Sequence, residues 1–249
     1  MKKYNYFKGS RGEALQDSFV LSILGGKREG WYLEIGSAHP KLRNNTFLLE
    51  NSFYWRGISI DYDPNFVNKF NQTRRNPCIL ADATKLDYFS FLQNNGFPVV
   101  IDYLQLDIDP ASNTLLALKQ IPLDKFQFSV ITFEHDLYSA SENLAIKSEA
   151  AEILLKHGYV RVVNNLKVVP GPRSDGNWSP YEDWWIHQNI STNYFFGTFE
   201  NEPWASIFDI PFFLRITTLF DRVKKKFLFI TYFPMKNRIK HLVFKSLSA

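Results

Sequence analysis

A series of acidic residues ends the short apolar runs in the first part of the chain. Each run has the length of a buried strand, and the acids that end the runs are Glu34, Asp61, Asp82, Asp107 with Asp109, and Glu134 with Asp136. Ligands of an open α/β sheet bind beyond the carboxyl ends of its strands. A single acid at such a place often caps a helix or is solvated, but the ordered series predicts that these side chains line one binding site.

A cationic cofactor that contains a ribose and an adenine would give several of these residues a task. Glu34 would receive an ammonium group, and Gly36 would let the backbone approach the cofactor closely. The carboxylate of Asp61 would accept hydrogen bonds from both ribose hydroxyls. Asp82 and Ala83 would meet the adenine edge. We therefore predict that these five residues bind such a cofactor.

The elements that must position these residues alternate between helix and strand. Helical periodicity predicts helices over residues 12–24, 45–50, 64–72, 86–95, 113–120 and 142–157. Apolar runs predict strands over residues 31–35, 57–61, 78–81, 103–107 and 128–133, and a terminal antiparallel hairpin of 159–163 and 166–169 joined through Asn164-Asn165. This alternation predicts an α/β fold, a Rossmann-like, mostly parallel sheet with helices on both faces.

The composition is that of one globular domain in a reducing compartment. Of the 249 residues, 45% are hydrophobic and 22% are charged, which is ordinary for a soluble protein. A single cysteine, Cys78, excludes an intrachain disulfide and a cysteine-based zinc cluster. No signal-peptide pattern follows the basic start, and no run approaches the roughly 20 apolar residues that span a bilayer. We expect a cytoplasmic protein, soluble or peripheral on a membrane.

The end of the chain differs in composition from the rest. From Ile210 onward nine Lys or Arg residues accompany one acid, Asp221, and many of the other residues are Phe, Leu or Ile. We therefore predict a domain over residues 1–204 and a basic aromatic extension over residues 205–249. Aromatic side chains beside positive charge favour an anionic membrane surface. Packing against the domain and a homodimer contact are the alternatives, and no recognised nucleic-acid-binding module is present.

Longer segments around the acids resemble the FkbM family of class I S-adenosylmethionine-dependent O-methyltransferases. The resemblance covers residues 8–190 and is carried by Gln16-Asp17, 31–36, Asn45-Thr46, Leu49-Glu50, 55–61, Asp82-Ala83, Leu106-Asp107, 131–136 and 181–185. It implies a seven-stranded sheet whose last strand is antiparallel. It also implies S-adenosylmethionine as the methyl donor, and a hydroxyl of a sugar or a polyketide-like scaffold as the acceptor. In this reading Gln16, Asp17 and Asp107 join the cofactor-binding residues.

Deprotonation of the acceptor needs a base or a metal ion, because a neutral alcohol is a poor nucleophile. Asp107 and Glu134-His135 end adjacent predicted strands, and their spacing resembles that of the metal-ligating acids in catechol and macrolide-sugar O-methyltransferases. We expect Mg²⁺ or Mn²⁺ at Asp107, Glu134 and His135. The position where those families can carry a base is Pro110, which leaves His135 or Asp109 as the candidate. The alternative is that Asp107 orients the cofactor while Glu134 and Asp136 bind acceptor hydroxyls.

A second group of acids and aromatic residues lies at Glu182-Asp183-Trp184-Trp185. Sugars are commonly held by ring stacking and by hydrogen bonds to their hydroxyls, so we expect Asp136, Glu182, Asp183 and Trp184 to bind the acceptor. Packing of the tryptophans against the sheet edge is the alternative.

The sequence as a whole favours an O-methyltransferase that acts on a glycan or another molecule with hydroxyl groups. Two alternatives are a catalytically silent glycan- or membrane-binding protein on the same fold and a nicotinamide-dependent oxidoreductase. The second is disfavoured because Gly36 is the only glycine where the dinucleotide fingerprint requires three.

Overall fold

The computed structural model describes residues 3–168, 178–190 and 198–211. Its helices are α1 (Gln16–Ile23), α2 (Phe47–Phe53), α3 (Pro64–Thr73), α4 (Tyr88–Asn94), α5 (Ala111–Gln120), α6 (Asn143–Lys156) and α7 (Trp204–Ile207). Its strands are β1 (Tyr4–Asn5), β2 (Trp31–Ile35), β3 (Arg56–Asp61), β4 (Cys78–Leu80), β5 (Val100–Leu106), β6 (Gln127–Glu134), β7 (Tyr159–Val168), β8 (Ser179–His187), β9 (Phe199–Glu200) and β10 (Phe208–Asp209).

The main sheet has the strand order β4-β3-β2-β5-β6-β8-β7-β9. Every neighbouring pair is parallel except the two that contain β8, which runs antiparallel to β6 and β7. The predicted Rossmann-like α/β fold with a mostly parallel sheet is therefore confirmed. The sheet has eight strands rather than seven, because the two-residue strand β9 adds to the edge beyond β7.

The predicted hairpin within residues 159–169 is wrong. Residues 159–168 form one strand, β7, and its antiparallel partner is β8. Asn165 has a left-handed backbone, with φ 55°, and the register between the strands shifts near it. Asn tolerates that conformation at a bulge, so the strand bends there instead of turning back.

The two faces of the sheet differ in chemistry. On one face, residues such as Ile35, Leu106 and Phe133 form an apolar core with α4, α5 and α6. On the other face, one cross-strand row consists of Glu34, Gln105, Thr132 and Trp184. Helix α1 covers the Trp184 end of this row, where the rings of Phe19 and Trp184 stack with centroids 4.4 Å apart. This second face therefore contains buried polar groups that need hydrogen-bond partners.

A small second sheet joins β1 to β10 in parallel, with Tyr4 opposite Phe208. Ile207, Phe208 and Ile210 are buried, and the ring of Phe208 contacts that of Trp184 at 5.9 Å between centroids. These residues belong to the predicted extension, but its remainder, residues 212–249, lies outside the described residues. Among the described helices none is long and apolar enough to cross a membrane.

Candidate active site

The chain changes direction across the sheet between β2 and β5. From β2 it proceeds through β3 and β4 to one edge, and from β5 through β6 toward the other. Gly36 follows β2 with φ +84°, and a Cβ atom at this position would stand 1.6 Å from the carbonyl oxygen of Asp107, which follows β5. Only glycine permits this approach. A crevice at such a reversal is the usual ligand site of an open α/β sheet.

Asp61 holds the start of the loop between β2 and α2. Its Oδ2 accepts hydrogen bonds from the backbone N–H of Ala38 at 2.8 Å and from the hydroxyl of Ser37 at 3.4 Å. Its Oδ1 accepts from the N–H of Asp63 at 2.9 Å. The predicted contact with a ribose stays a prediction, but Asp61 does lie at the carboxyl end of β3 beside Gly36. Tyr62, the next residue, is 73% exposed and was missed by the sequence analysis.

Glu34 holds the end of the same loop. Its carboxylate accepts from the Asn44 amide at 3.1 Å, the Thr46 hydroxyl at 3.0 Å and the Ser59 hydroxyl at 2.5 Å. Burial raises the pKa of Glu34, while Arg74 and these donors lower it. Because the carboxylate already has three donors, the structure gives Glu34 a role in fixing the loop, and its contact with a cofactor ammonium stays a prediction.

Arg74 lies beneath this loop at the end of α3. Its guanidinium donates to the carbonyl of Pro40 and to Asn44 Oδ1, both at 2.9 Å, and to Glu50 at 2.8 Å. The side chain is 1% exposed. Arg74 was not among the predicted residues, because nothing in the sequence distinguishes it from its exposed neighbour Arg75.

Asp82 and Ala83 lie at the end of β4. Asp82 is exposed. It accepts a hydrogen bond of 3.0 Å from the backbone N–H of Thr84, and it forms an ion pair of 2.8 Å with Lys85. These contacts lower the pKa of Asp82 to about 2. The carbonyl of Ala83 accepts from the hydroxyl of Tyr88 at 2.9 Å. The adenine contact of this pair stays a prediction.

Gln16 and Asp17 organise the segment before α1. Asp17 is buried and accepts from the hydroxyl of Ser10 and from the backbone N–H groups of Arg11, at 2.8 Å, and Gly12, at 3.3 Å. Gln16 accepts from the N–H of Ala14 at 2.9 Å, and its side chain lies near enough to Glu182 to lower the pKa of that carboxyl, which burial raises. Gln16 therefore lies between the segment before α1 and β8, whereas the carboxylate of Asp17 accepts from that segment and from the N–H of Ser18 at 2.8 Å.

Five acids from three strands meet beyond the sheet, and we call them the acid cluster: Asp107, Asp109, Glu134, Asp136 and Glu182. Glu134 is hydrogen-bonded to Asp107 and to Asp136, Asp136 is hydrogen-bonded to Asp109, and Glu134 lies opposite Glu182 in the register of β6 and β8. Carboxyl groups can form such bonds only when they share protons. Burial raises the pKa of Asp107 to about 7, although its hydrogen bond with Glu134 lowers it. Burial and the charge of Asp107 raise the pKa of Glu134 well above its ordinary value.

His135 does not join the acid cluster, and its predicted roles as metal ligand and general base are wrong. His135 directly follows the last residue of β6, Glu134, and successive residues of an extended chain point to opposite faces, so the two side chains diverge. The ring of His135 is buried, its Nε2 lies 3.4 Å from Asp183 Oδ1, and its Nδ1 accepts from the N–H of Leu137 at 3.3 Å. Within the described ranges, no group of three or more His, Cys, Asp or Glu side chains could hold a metal ion. The predicted metal set is therefore not assembled, and Asp109 is the remaining candidate base.

Asp183 also lies away from the acid cluster. It accepts from Lys147, from Arg161 at 3.1 Å and from the N–H of Asn165 at 2.7 Å. Although burial opposes ionisation, His135 and Lys147 keep the pKa of Asp183 below its ordinary value. Asp183 therefore stabilises the junction of β6, β7 and α6 and does not face an acceptor.

Trp184 is a core residue and not a stacking platform for a sugar. Its side chain is fully buried against Phe19, and its Nε1 donates to Glu182 at 2.6 Å. Of the four predicted acceptor-binding residues, only Asp136 and Glu182 reach the acid cluster. An aromatic pair that the sequence analysis missed lies beside it: Tyr138 and Tyr181 have ring centroids 6.3 Å apart, and Tyr138 is 45% exposed.

No family model matches the chain, and no curated protein matches it. Solved structures show distant likeness. An O-methyltransferase from Bacillus cereus in complex with SAH is 14% identical, with 74% of this chain and 83% of that chain covered and a TM-score of 0.47. N-methyltransferase NodS from Bradyrhizobium japonicum is 12% identical, with 69% of this chain and 94% of that chain covered and a TM-score of 0.41. A TehB-like SAM-dependent methyltransferase from Corynebacterium glutamicum is 11% identical, with 69% of this chain and 86% of that chain covered and a TM-score of 0.38. These values are too low to assign an activity or a residue role, and the FkbM resemblance stays a prediction.

Proposed function

We propose that this chain is an S-adenosylmethionine-dependent O-methyltransferase whose acceptor is a sugar hydroxyl. The observation that carries the proposal is the reversal point between β2 and β5, where Gly36 meets Asp107 and acids extend along the sheet edge in both directions. The cofactor is positively charged at its sulfonium and ammonium groups, so a site lined by carboxylates suits it.

The strands β2, β3 and β4 would hold the nucleoside part. Asp61 ends β3 beside Gly36, and Asp82 follows β4. Tyr62 offers an exposed ring next to Asp61 on which a base would stack. When bound, S-adenosylmethionine supplies a methyl group whose bond to sulfur breaks as a bond to the acceptor oxygen forms, and the hydroxyl proton passes to a base.

A nicotinamide cofactor fits this site less well. Its pyrophosphate needs a helix N-terminus directly after a glycine-rich turn. Here α2 begins only at Phe47, after the long loop that follows Gly36.

The acid cluster would bind and activate the acceptor. Its carboxyl groups accept hydrogen bonds from sugar hydroxyls, and Asp109 is its exposed member. Burial and the charge of Asp136 raise the pKa of Asp109, which makes it a stronger base than an ordinary aspartate. Orientation of the hydroxyl toward the methyl group would supply most of the acceleration.

Calorimetry with S-adenosylhomocysteine and NAD tests the proposal. We expect S-adenosylhomocysteine to bind and NAD not to bind. Asp61→Asn should weaken the binding roughly tenfold to a hundredfold, because a charged acceptor in a buried hydrogen bond is lost. Asp124→Asn, at an exposed acid that forms an ion pair with Lys125, is the matched control. Binding of NAD alone would replace the methyltransferase proposal with the oxidoreductase one, and transfer of a labelled methyl group would exclude a silent binding protein.

A further inference from the structure

The two edges of the main sheet differ in charge. Acids end or follow β3, β4, β5 and β6 at the carboxyl ends of these strands. At the opposite edge, the residues that precede or begin β2, β3 and β4 include one acid, Glu29, and four exposed cations, Lys27, Arg28, Arg56 and Arg75. These strands are parallel, so their amino ends share one side of the sheet. We call this surface, which consists of residues 27–31, 53–56, 75 and 97–100, the amino edge.

Arginine side chains of the amino edge lie over aromatic rings. The guanidinium carbon of Arg28 lies 4.8 Å from the centre of the Tyr54 ring and 5.8 Å from that of Phe53. The guanidinium carbon of Arg75 lies 5.7 Å from the centre of the Tyr54 ring, and its Nε is 3.9 Å from the carboxylate of Glu50. Tyr54 is therefore an exposed ring that two cations accompany.

Ion pairs neutralise only part of the positive charge. Lys27 pairs with the buried carboxylate of Asp102 at 2.6 Å. Among the described residues, by contrast, no acid forms an ion pair with Arg28 or Arg56. Together with Arg75 they outnumber the single acid of the amino edge, so this surface keeps a positive charge.

Two turns hold the arginines and the rings in place. The backbone N–H of Glu29 donates to the carbonyl of Phe53 at 2.8 Å, which joins the turn before β2 to the turn before β3. Glu29 and Tyr54 both have left-handed backbones, with φ 58° and 61°. This conformation is unfavourable for residues other than glycine, yet it keeps the Tyr54 ring beside Arg28 at the surface.

The amino edge also exposes apolar side chains. Tyr32 of β2 lies opposite Tyr103 of β5, whereas β5 already begins at Val100, so the start of β5 extends beyond the start of β2. This leaves Val99 65% exposed and Val100 52% exposed. Tyr54, on the other side of β2, is 51% exposed. Positive charge and apolar surface therefore lie side by side.

Charge complementarity decides between the possible occupants of the amino edge. The extension of this chain is itself basic, with nine Lys or Arg residues and one acid from Ile210 onward, so it would be repelled. A second copy that docks through the same edge would place like charges opposite each other. A nucleic acid stacks its bases on free aromatic rings, whereas guanidinium groups already lie over Tyr54. An anionic phospholipid surface offers both phosphates for arginines and an apolar layer for exposed valines.

We infer that the amino edge docks on an anionic phospholipid membrane. Arg28 and Arg56 bind lipid phosphates, while Tyr54, Val99 and Val100 lie at the level of the headgroups. Because the amino and carboxyl ends of parallel strands lie at opposite edges of the sheet, the candidate active site then faces the aqueous side. The inference is independent of the proposed function, since it concerns the other edge of the sheet.

Sedimentation of the full chain with vesicles tests the charge. We expect binding to vesicles that contain phosphatidylglycerol and little binding to phosphatidylcholine alone. Arg28→Gln combined with Arg56→Gln should lower the partition coefficient roughly tenfold to thirtyfold, because each arginine loses its attraction to the anionic surface. The matched control combines Lys69→Gln with Lys85→Gln. It removes the same charge at exposed positions in α3 and after β4, away from the amino edge, and should have a much smaller effect.

A fluorescent label tests the orientation. Because Cys78 is only 4% exposed, a cysteine introduced by Val99→Cys can be labelled selectively with an environment-sensitive fluorophore. Its emission should shift to shorter wavelength on phosphatidylglycerol vesicles. Leu144→Cys is the control: this residue is 57% exposed at the start of α6, which follows the carboxyl end of β6, and a label there should not shift.

Several outcomes would overturn the inference. Vesicle binding with an unchanged label at residue 99, or an equal loss in both charge variants, would assign the binding to the extension or to net charge. Absence of vesicle binding would refute membrane docking. If the arginines were instead needed to bind polyuridylate or to form dimers in sedimentation velocity, the amino edge would contact nucleic acid or a second copy. Thermal unfolding shows whether the variants are folded, and the label at residue 99 decides the question with both arginines intact.

Discussion

Gly36 and Asp107 approach each other so closely that a Cβ atom on the glycine would stand 1.6 Å from the aspartate carbonyl oxygen. Gly36→Ala should therefore destabilise the protein and displace the ends of β2 and β5. A left-handed alanine alone costs about 1 to 2 kcal/mol, and the backbone clash adds to this. Urea unfolding measures the loss, and calorimetry should show that S-adenosylhomocysteine binding is lost.

Gly96 provides the matched control for that substitution. Its φ is +68°, but a Cβ atom there would have nothing within 4 Å. Gly96→Ala should lower the free energy of unfolding only by the cost of a left-handed alanine, about 1 to 2 kcal/mol. Equal losses in the two variants would contradict the close approach of Gly36 to Asp107.

Arg74→Gln should lower the free energy of unfolding by about 3 to 5 kcal/mol, because it leaves the buried carboxylate of Glu50 without its main partner. It should also release the loop of residues 36–46, since Arg74 donates to Pro40 and Asn44. The adjacent Arg75 has a side chain that is 59% exposed, so Arg75→Gln should cost less than about 1 kcal/mol. Urea unfolding measures the free energy of unfolding of both variants. If both lose a similar amount, Arg74 has no greater role than Arg75.

Stability should fall as the pH rises from about 4 to 7. The pKa of Asp107 is raised to about 7 and that of Glu134 is raised as well. An acid whose pKa is higher in the folded state holds its proton more tightly there, so ionisation favours unfolding. We expect a loss of at least about 1.4 kcal/mol, which corresponds to one pKa unit. In urea unfolding at pH 5 and pH 8, Glu134→Gln should reduce this loss and Asp124→Asn should not; a wild type equally stable at both pH values would refute the shared-proton arrangement.

Cys78 should resist thiol reagents in the native protein. It is 4% exposed, and burial raises the pKa of its thiol to about 11, so little thiolate is present at pH 8. Reaction with a chromogenic disulfide reagent should be slow in buffer and should yield one thiol per chain in denaturant. Rapid native labelling would show that the loop beside Cys78, which contacts it through Ser37, opens readily.

The basic residues beyond residue 211 should promote binding to anionic vesicles, as the sequence predicts. A chain that ends at residue 211 should sediment less with acidic liposomes than the full chain, and salt should reduce the difference. Equal sedimentation would favour packing or self-association as the role of the extension.

The alternation of apolar runs and helical segments was sufficient to predict the fold, because a parallel sheet requires both. The acids at strand ends were also predicted to lie close together, since the carboxyl ends of parallel strands share one edge of the sheet. The placement of His135 was wrong for a reason that the sequence contains: it directly follows Glu134, the last residue of β6, and successive residues of an extended chain point to opposite faces. Strand alternation would have separated the two residues.

Other parts of the site depend on contacts between distant segments. The sequence suggested that Trp184 stacks on a sugar, but in the structure Phe19 of α1 covers the face of its ring. Arg74 is one of two adjacent arginines, and only the tertiary fold buries one and exposes the other. Glu34 was expected to face a cofactor, but Asn44, Thr46 and Ser59 already donate to it. The periodicity of apolar residues along the sequence does not show which distant residues will contact one another in the fold.

The pairing of β1 with β10 has a practical consequence for shortening the chain. Tyr4 lies opposite Phe208, and its ring contacts those of Phe19 and Phe208. Cutting after residue 204, the predicted domain boundary, would remove Phe208 and Ile210 and uncover the aromatic rings beneath them. Such a fragment would expose an apolar surface and an unpaired strand edge, both of which promote aggregation. A minimal version suited to crystallisation should therefore extend at least to Pro211.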